Sequence, residues 1–289
     1  MVRGLAIFVL LFFNLCLWGI PVLLVGLTKL FLPGPKRRPI ILLLAKLGER
    51  WVAGNNRIFD ALLSTRWEIS GIEGTRYDGH YLIICNHLSW VDIFALFRAF
   101  AGQTALIRFF LKRPLMWMPI VGQACWALEF PFMRRYTPEY LARHPEKRGK
   151  DLETTRRLCR RYKKVPVAIL NFVEGTRFTR EKHADQESPY RHLLRPRAGG
   201  ISFVLASFGD QLDAIFDVTL AYPPRHDITM WEFVTNRIPR VIVQARRIEV
   251  TPELIDPAIT ESGPARDKLK AWIDELWRRK DDALDSVLK

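Results

Sequence analysis

The sequence predicts an α/β fold, a mixed, largely parallel sheet flanked by helices, with an N-terminal membrane-anchoring helical segment ahead of it. Three observations predict it. Residues 4–28 contain no charged side chain. Short apolar runs at 81–85, 165–172, 214–222 and 241–245 read as buried strands. Helical patterns lie between and after them, at 91–100, 151–162, 198–208 and 265–287. The alternation of strands with helices gives an α/β sandwich rather than a bundle or an all-β fold.

The N-terminal segment comes first in the chain. A hydrocarbon core of about 30 Å needs about 20 apolar helical residues, so residues 4–28 can span it. Pro21 is a candidate kink within the run. Arg3 precedes the run, and Lys29, Lys36, Arg37 and Arg38 follow it, which favours a cytoplasmic C-terminal side. A cleaved signal peptide fits less well, because the run exceeds the usual ~7–15-residue apolar core and no A-x-A-like site closes it. Residues 40–63 are apolar but carry Lys46, Glu49, Arg50 and Arg57, the composition of an amphipathic helix at a membrane surface. A full span and a two-helix hairpin dipping into one leaflet both satisfy these residues. The expected organisation is a membrane anchor and interfacial helix over 1–65 and a globular domain over 66–289.

The globular part has the length and the apolar content, 49% over the whole chain, to bury a core, which excludes disorder. A net charge of +14 fits nucleic acid, an anionic membrane face or an anionic substrate. No nucleic-acid-binding motif accompanies the charge, so no nucleic-acid partner is expected. The four cysteines, Cys16, Cys85, Cys125 and Cys159, are scattered without a C-x-x-C pair and are expected to be reduced. Residues 143–164 hold ten Lys or Arg against three Asp or Glu. They read either as a solvated basic helix or as an attractor of anionic groups. At the C-terminus Leu269, Trp272, Ile273, Leu276 and Trp277 share one helical face opposite a charged one.

Two strand ends carry the chemistry. The strand 81–85 runs into Asn86-His87-Leu88-Ser89-Trp90-Val91-Asp92. On one regular helix His87 and Asp92 would lie about 140° apart and would not meet. With His87 in a loop before the helix, its ring can turn back to Asp92. The carboxylate then fixes the tautomer, and the other ring nitrogen can take a proton from a hydroxyl. Ser89-x-x-Asp92 also reads as a simple helix capping box. Ser89 as a nucleophile lacks the G-x-S-x-G elbow. The strand 165–172 runs into Val173-Glu174-Gly175-Thr176-Arg177. There Gly175 permits a tight turn and Arg177 offers a planar fork for phosphate oxygens; an ordinary Glu-Gly turn reads equally well from this stretch alone.

Taken together, N-H-x-x-x-x-D followed by F-x-E-G-T-R resembles the glycerolipid acyltransferase family, which includes the 1-acyl-sn-glycerol-3-phosphate acyltransferases. Phe132-Met133-Arg134-Arg135 resembles its F-I-x-R block, with Arg135 at the matching arginine, and 218–223 (VTLAYP) resembles its strand-and-proline block. Residues 194–200 (LRPRAGG) resemble a basic L-x-P-x-x-G stretch. Val173 stands where the family more often has Pro, and the fourth block departs from V-P-V-x-P. The spacings are most similar to the branch with lysocardiolipin-type and related bacterial enzymes.

The resemblance implies a membrane enzyme of a bacterial inner membrane or equivalent, with its catalytic domain cytoplasmic. It implies an acyl-CoA or acyl-carrier-protein donor and a lysophospholipid acceptor, most simply 1-acyl-sn-glycerol-3-phosphate giving phosphatidic acid. Another lysophospholipid is the alternative acceptor, and a basic membrane-anchored lipid-binding protein the non-enzymatic alternative. By the same resemblance His87 is the general base, Asp92 supports its ring, and Arg135 and Arg177 bind the acceptor phosphate. Arg134 is a further candidate, and Glu174, Gly175 and Thr176 shape that pocket. No metal and no cofactor beyond the co-substrate is implied. Residues 115–133, largely apolar and aromatic with Glu129 as the one acid, read either as the lining of an acyl groove or as plain core.

Overall fold

The structure, a computed structural model, describes residues 1–133, 143–144, 162–163 and 165–288. Helix α1 (Val2–Thr28) continues through Pro21, and α2 (Arg38–Leu62) folds back along it. Asn14 locks the pair: its amide donates to the Trp51 carbonyl at 2.9 Å and to Asn55 Oδ1 at 2.9 Å. A buried side-chain amide needs such partners, so α1 and α2 are fixed in register as a hairpin.

The sheet follows. Its strands are β1 (Arg66–Ser70), β2 (His80–Cys85), β3 (Ile107–Phe109), β6 (Val167–Phe172), β7 (Ala214–Ala221) and β8 (Arg240–Ile248). Their spatial order is β1-β8-β7-β2-β6-β3. β2 pairs in parallel with β6 and β7, and β3 in parallel with β6. β8 runs antiparallel to β7 and carries β1 parallel to itself. The expected mixed, largely parallel sheet is the observed one. A separate two-stranded pairing joins β4 (Leu111–Lys112) to β5 (Phe132–Met133).

Helices cover both faces. The hairpin, α3 (Val91–Ala99) and α4 (Val121–Ala127) pack on one. α6 (Ala198–Phe208) and α8 (Pro264–Leu288) pack on the other. Two short helices, α5 (Arg180–Asp185) and α7 (Met230–Val234), complete the body. Strands buried on both faces must be apolar throughout, and β2 is buried at every residue from Tyr81 to Cys85.

The boundary expected near residue 65 falls in the link from α2 to β1, yet the hairpin shares its core with the domain. Ile7, Val22, Leu44, Val52 and Phe59 belong to the same buried cluster as Tyr81, Ile83 and Phe216. α1 touches the body at both ends. A Cβ on Gly4 would meet Thr235 and Trp231, and one on Gly26 would meet Ala127 at 2.5 Å. Behind the sheet, Lys280 of α8 forms a buried ion pair with Asp217 of β7, 2.7 Å long, which ties the C-terminal helix down.

Several expectations shift in detail. The strand expected at 165–172 begins at Val167, and that at 241–245 extends to Arg240–Ile248. β1 and β3 were not expected; both are sheet edges whose side chains lack a plain apolar run. The helix expected at 151–162 lies outside the described residues apart from Tyr162, as does nearly all of the basic stretch 143–164. Cys16, Cys85 and Cys125 are free thiols; Cys159 lies outside the described residues.

Candidate active site

β2, β6 and β7 end side by side, so the loops that follow them meet. β2 leads directly into the His87 loop. Asn86 fastens its start to β7, donating to the Leu220 carbonyl at 3.0 Å and accepting from the Leu220 N–H at 2.9 Å. The side-chain amide thereby extends the sheet ladder where the backbone turns away. His87 then leaves the strand, and α3 starts at Val91 with Trp90 as its N-cap. The break before the helix lets the ring turn back. His87 Nδ1 lies 2.7 Å from Asp92 Oδ2, and the ring stacks on Phe172 of β6 at 3.9 Å between centroids.

Asp92 is fully buried and saturated. Its Oδ2 also accepts from the backbone N–H groups of Leu88 at 2.6 Å and Ser89 at 2.9 Å. Its Oδ1 accepts from the Tyr222 hydroxyl at 2.6 Å. The two backbone N–H groups can only donate and the Tyr222 hydroxyl donates as well, so both carboxylate oxygens are engaged as acceptors. An ionised carboxylate only accepts, so His87 Nδ1 carries the proton and Nε2 is the basic nitrogen. Among the described residues Nε2 has no hydrogen-bond partner. The capping-box reading holds in one half only. Asp92 accepts from Ser89 N–H, but the Ser89 hydroxyl accepts from Val91 N–H at 3.3 Å rather than from Asp92. Ser89 is buried within this turn.

β6 leads into the second loop. Gly175 takes φ +71°, which an L side chain rarely adopts, and its N–H closes the turn onto the Phe172 carbonyl at 2.9 Å. Glu174 points inward and is fully buried. One of its oxygens accepts from His87 N–H at 3.1 Å and the other from Leu194 N–H at 3.1 Å. Burial pushes its carboxyl up to about 8, against the two backbone donors that lower it. Glu174 thus shapes the site from beneath, by holding the His87 loop. Phe178 N–H, just beyond, donates to the His87 carbonyl at 2.7 Å.

Thr176 is half-buried and Arg177 exposed. Lys182 of α5 donates to the Thr176 hydroxyl and to the Arg177 carbonyl, each at 3.0 Å. The exposed Arg177 guanidinium lies over the Trp90 ring, 4.7 Å from its centroid. Arg134 and Arg135 lie outside the described residues. Among the described residues no group of three or more His, Cys, Asp or Glu is placed to hold a metal ion.

Trp90 and Ile93, from the same loop and helix as His87 and Asp92, line an apolar cavity of about 480 Å³. Its walls come from α1 (Leu11, Leu15), α2 (Trp51), α3 and the segment 115–130. Residues 115–133, left open between groove lining and core, therefore do both: Leu115, Met118 and Val121 line the cavity, while Ala127 and Phe130 are buried core. The arrangement offers a base with a defined tautomer, a cation at the rim and a lipid-like cavity beside them. Sequence reasoning assigned no role to Asn86, Phe172 or Tyr222. Each stands in or next to a recognised block, but only the spatial meeting of β2, β6 and β7 gives it a partner.

The chain is similar in sequence and in fold to known acyltransferases. A lysocardiolipin acyltransferase 1 from Danio rerio is 29% identical over 216 residues, covering 70% of this chain and 51% of that one. A 1-acyl-sn-glycerol-3-phosphate acyltransferase 3 from Arabidopsis thaliana is 27% identical over 223 residues, covering 71% of this chain and 53% of that one. The chain thus spans about half the length of these curated relatives. The crystal structure of the 1-acyl-sn-glycerophosphate acyltransferase PlsC from Thermotoga maritima has the same fold, with a TM-score of 0.53 at 17% identity over 98% of this chain and 97% of that one. The sequence model of the acyltransferase family matches residues 66–222, more than half of the chain and all three motif-bearing strands, and the chain belongs to that family.

Proposed function

We propose that the chain transfers a fatty acyl group from a thioester donor, acyl-CoA or acyl-carrier protein, to the free sn-2 hydroxyl of a lysophospholipid. The acceptor is 1-acyl-sn-glycerol-3-phosphate and the product phosphatidic acid. The observation that carries this reading is the 2.7 Å contact of His87 Nδ1 with Asp92, beside a cavity lined by Trp90 and Ile93 of the same motif.

His87 Nε2 takes the proton of the acceptor hydroxyl as its oxygen attacks the thioester carbonyl. The buried Asp92 carboxylate stabilises the imidazolium that forms. The tetrahedral intermediate collapses with breakage of the C–S bond. The thiolate leaves and takes the proton from Nε2, which returns the ring to its starting form. A thiolate is a good leaving group, so no acyl-enzyme is needed. Arg177 binds the acceptor phosphate, with Arg135 and Arg134 as further cations, while Glu174, Gly175 and Thr176 hold the loop that presents Arg177. The apolar cavity takes an acyl chain.

The same reading places the protein on a membrane, with residues 66–289 as the catalytic domain on the cytoplasmic side and 1–65 as its anchor. α1 is long and apolar enough to cross a bilayer, and only 22% of its most apolar stretch is buried. Leu5, Phe13, Leu17 and Leu24 are exposed along it. The close packing of this helix on the body near Gly4 and again near Gly26 supports a hairpin that stays with the domain over a helix that crosses alone. Immersion of the hairpin in one leaflet fits both facts and brings the cavity to the lipid.

The test offers the purified protein, in detergent, oleoyl-CoA with a panel of lysophospholipids and records thiol release. The panel includes lysocardiolipin, since a lysocardiolipin acyltransferase is among the similar chains. Release that requires lysophosphatidate supports the reading. Release without any lysolipid makes the protein a thioesterase, and no release with any acceptor overturns the enzymatic reading.

A further inference from the structure

We propose that Tyr222 is a positioning residue of the His87–Asp92 pair, setting through Asp92 the basicity and orientation of the imidazole. The inference rests on the reading of His87 as general base. It adds a residue from just after β7, the strand that flanks β2 on the side opposite to β6 and the loop that bears Arg177.

Asp92 and Tyr222 are both fully buried. The two carboxylate oxygens have unequal company. Oδ2 receives His87 Nδ1–H and the N–H groups of Leu88 and Ser89. Among the described residues Oδ1 receives the Tyr222 hydroxyl alone, at 2.6 Å. A buried carboxylate oxygen without a donor is costly, so Tyr222 fixes the rotation of the Asp92 carboxylate as well as its charge. The Asp92 side chain in turn orients the His87 ring from one side, while Phe172 bounds it on a face. Burial and the neighbouring Asp92 charge push the Tyr222 phenol well above its ordinary value, so it remains a donor throughout the working pH range.

Tyr222 is itself held in place. It follows β7, whose Leu220 is clamped by Asn86, the residue before His87. The β7 end and the His87 loop are therefore joined twice, once through the backbone of Leu220 and once through the Tyr222 hydroxyl. Deleting the hydroxyl leaves the first link intact, so Tyr222→Phe retains the fold while altering the carboxylate. With one donor fewer, the Asp92 charge is less dispersed and holds the imidazolium more strongly. The acid limb of the rate profile, where His87 must lose its proton to act as base, then moves to higher pH.

The experiment compares pH profiles of kcat/KM for oleoyl-CoA and lysophosphatidate in the wild type, Tyr222→Phe and a chain with 3-fluorotyrosine at position 222. Tyr222→Phe is expected to move the acid limb up by about one unit and to lower kcat roughly tenfold, with little change in KM. The fluorinated phenol keeps the shape, donates more strongly and is expected to move the limb down. This second chain keeps the test decisive if Tyr222→Phe does not fold. An acid limb that stays put in the fluorinated chain, or in a folded Tyr222→Phe, overturns the proposal. His87→Ala is measured alongside. If His87→Ala keeps wild-type activity, the general-base reading fails; if it is inactive while the Tyr222 variants keep the wild-type profile, only the role of Tyr222 fails.

Discussion

Replacing Glu174 with Ala tests how the second loop supports the first. The two Glu174 oxygens accept from the N–H groups of His87 and Leu194, each at 3.1 Å, and the side chain is fully buried. The deletion strands two backbone donors. At about 2 kcal/mol for each, the loss is about 4 kcal/mol. For a chain of this size that lowers Tm by roughly 8–16 °C, at about 2–4 °C per kcal/mol. The loss also depends on pH. Burial raises the carboxyl from 4.5 to about 8 in the folded chain. Between those values the folded chain holds a proton that the unfolded chain has released, so wild-type stability falls as pH rises. The contribution is complete below 4.5 and gone above about 8, with a slope of up to about 1.4 kcal/mol per pH unit. Glu174→Ala lacks this slope, so its deficit in Tm shrinks from pH 5 to pH 8. Thermal melts of the detergent-solubilised protein at several pH values measure it. A Tm within about 2 °C of wild type at pH 5, or a deficit that grows with pH, refutes the reasoning.

Three further outcomes follow from the same geometry. His87→Ala lowers the rate of thiol release by about 10²–10⁴ while the far-ultraviolet circular dichroism stays native, because the ring sits at the rim and not in the core. Arg177→Lys raises KM for lysophosphatidate more than KM for oleoyl-CoA, since an ammonium loses both the bidentate fork and the stacking on Trp90, whereas a weakened donor alone would move this arginine to the thioester side. Deleting residues 1–28 abolishes activity as well as easing extraction from membranes, because Leu11 and Leu15 of α1 are cavity walls; a truncated protein that floats free of vesicles yet retains full turnover would contradict that role.

The sequence by itself determined the strands that matter and the two loops that follow them. β2 is apolar from Tyr81 to Cys85 and β6 from Val167 to Leu170, so the polar residues that follow these runs stand out. The His87 and Asp92 spacing required a break before the helix, and the helix does start at Val91. It also showed an apolar first helix, whose lack of charge is a local property. The edge strands β1 and β3 escaped it because their burial depends on neighbours rather than on composition.

Only the tertiary structure decided the relations between segments distant in the chain. Tyr222 meets Asp92 across 130 positions, and Asn86 meets Leu220 across 134, because parallel strands bring their C-terminal ends to one edge. Glu174 reads in the sequence as a site residue but is turned inward, since the φ of Gly175 sends the loop over it. The hairpin reads as a separate anchor, yet α1 packs along the domain and walls the cavity. Strand and helix propensities are set by near neighbours. Hydrogen-bond partners and cavity walls are set by which apolar faces can be buried together, and that is a property of the assembled layers.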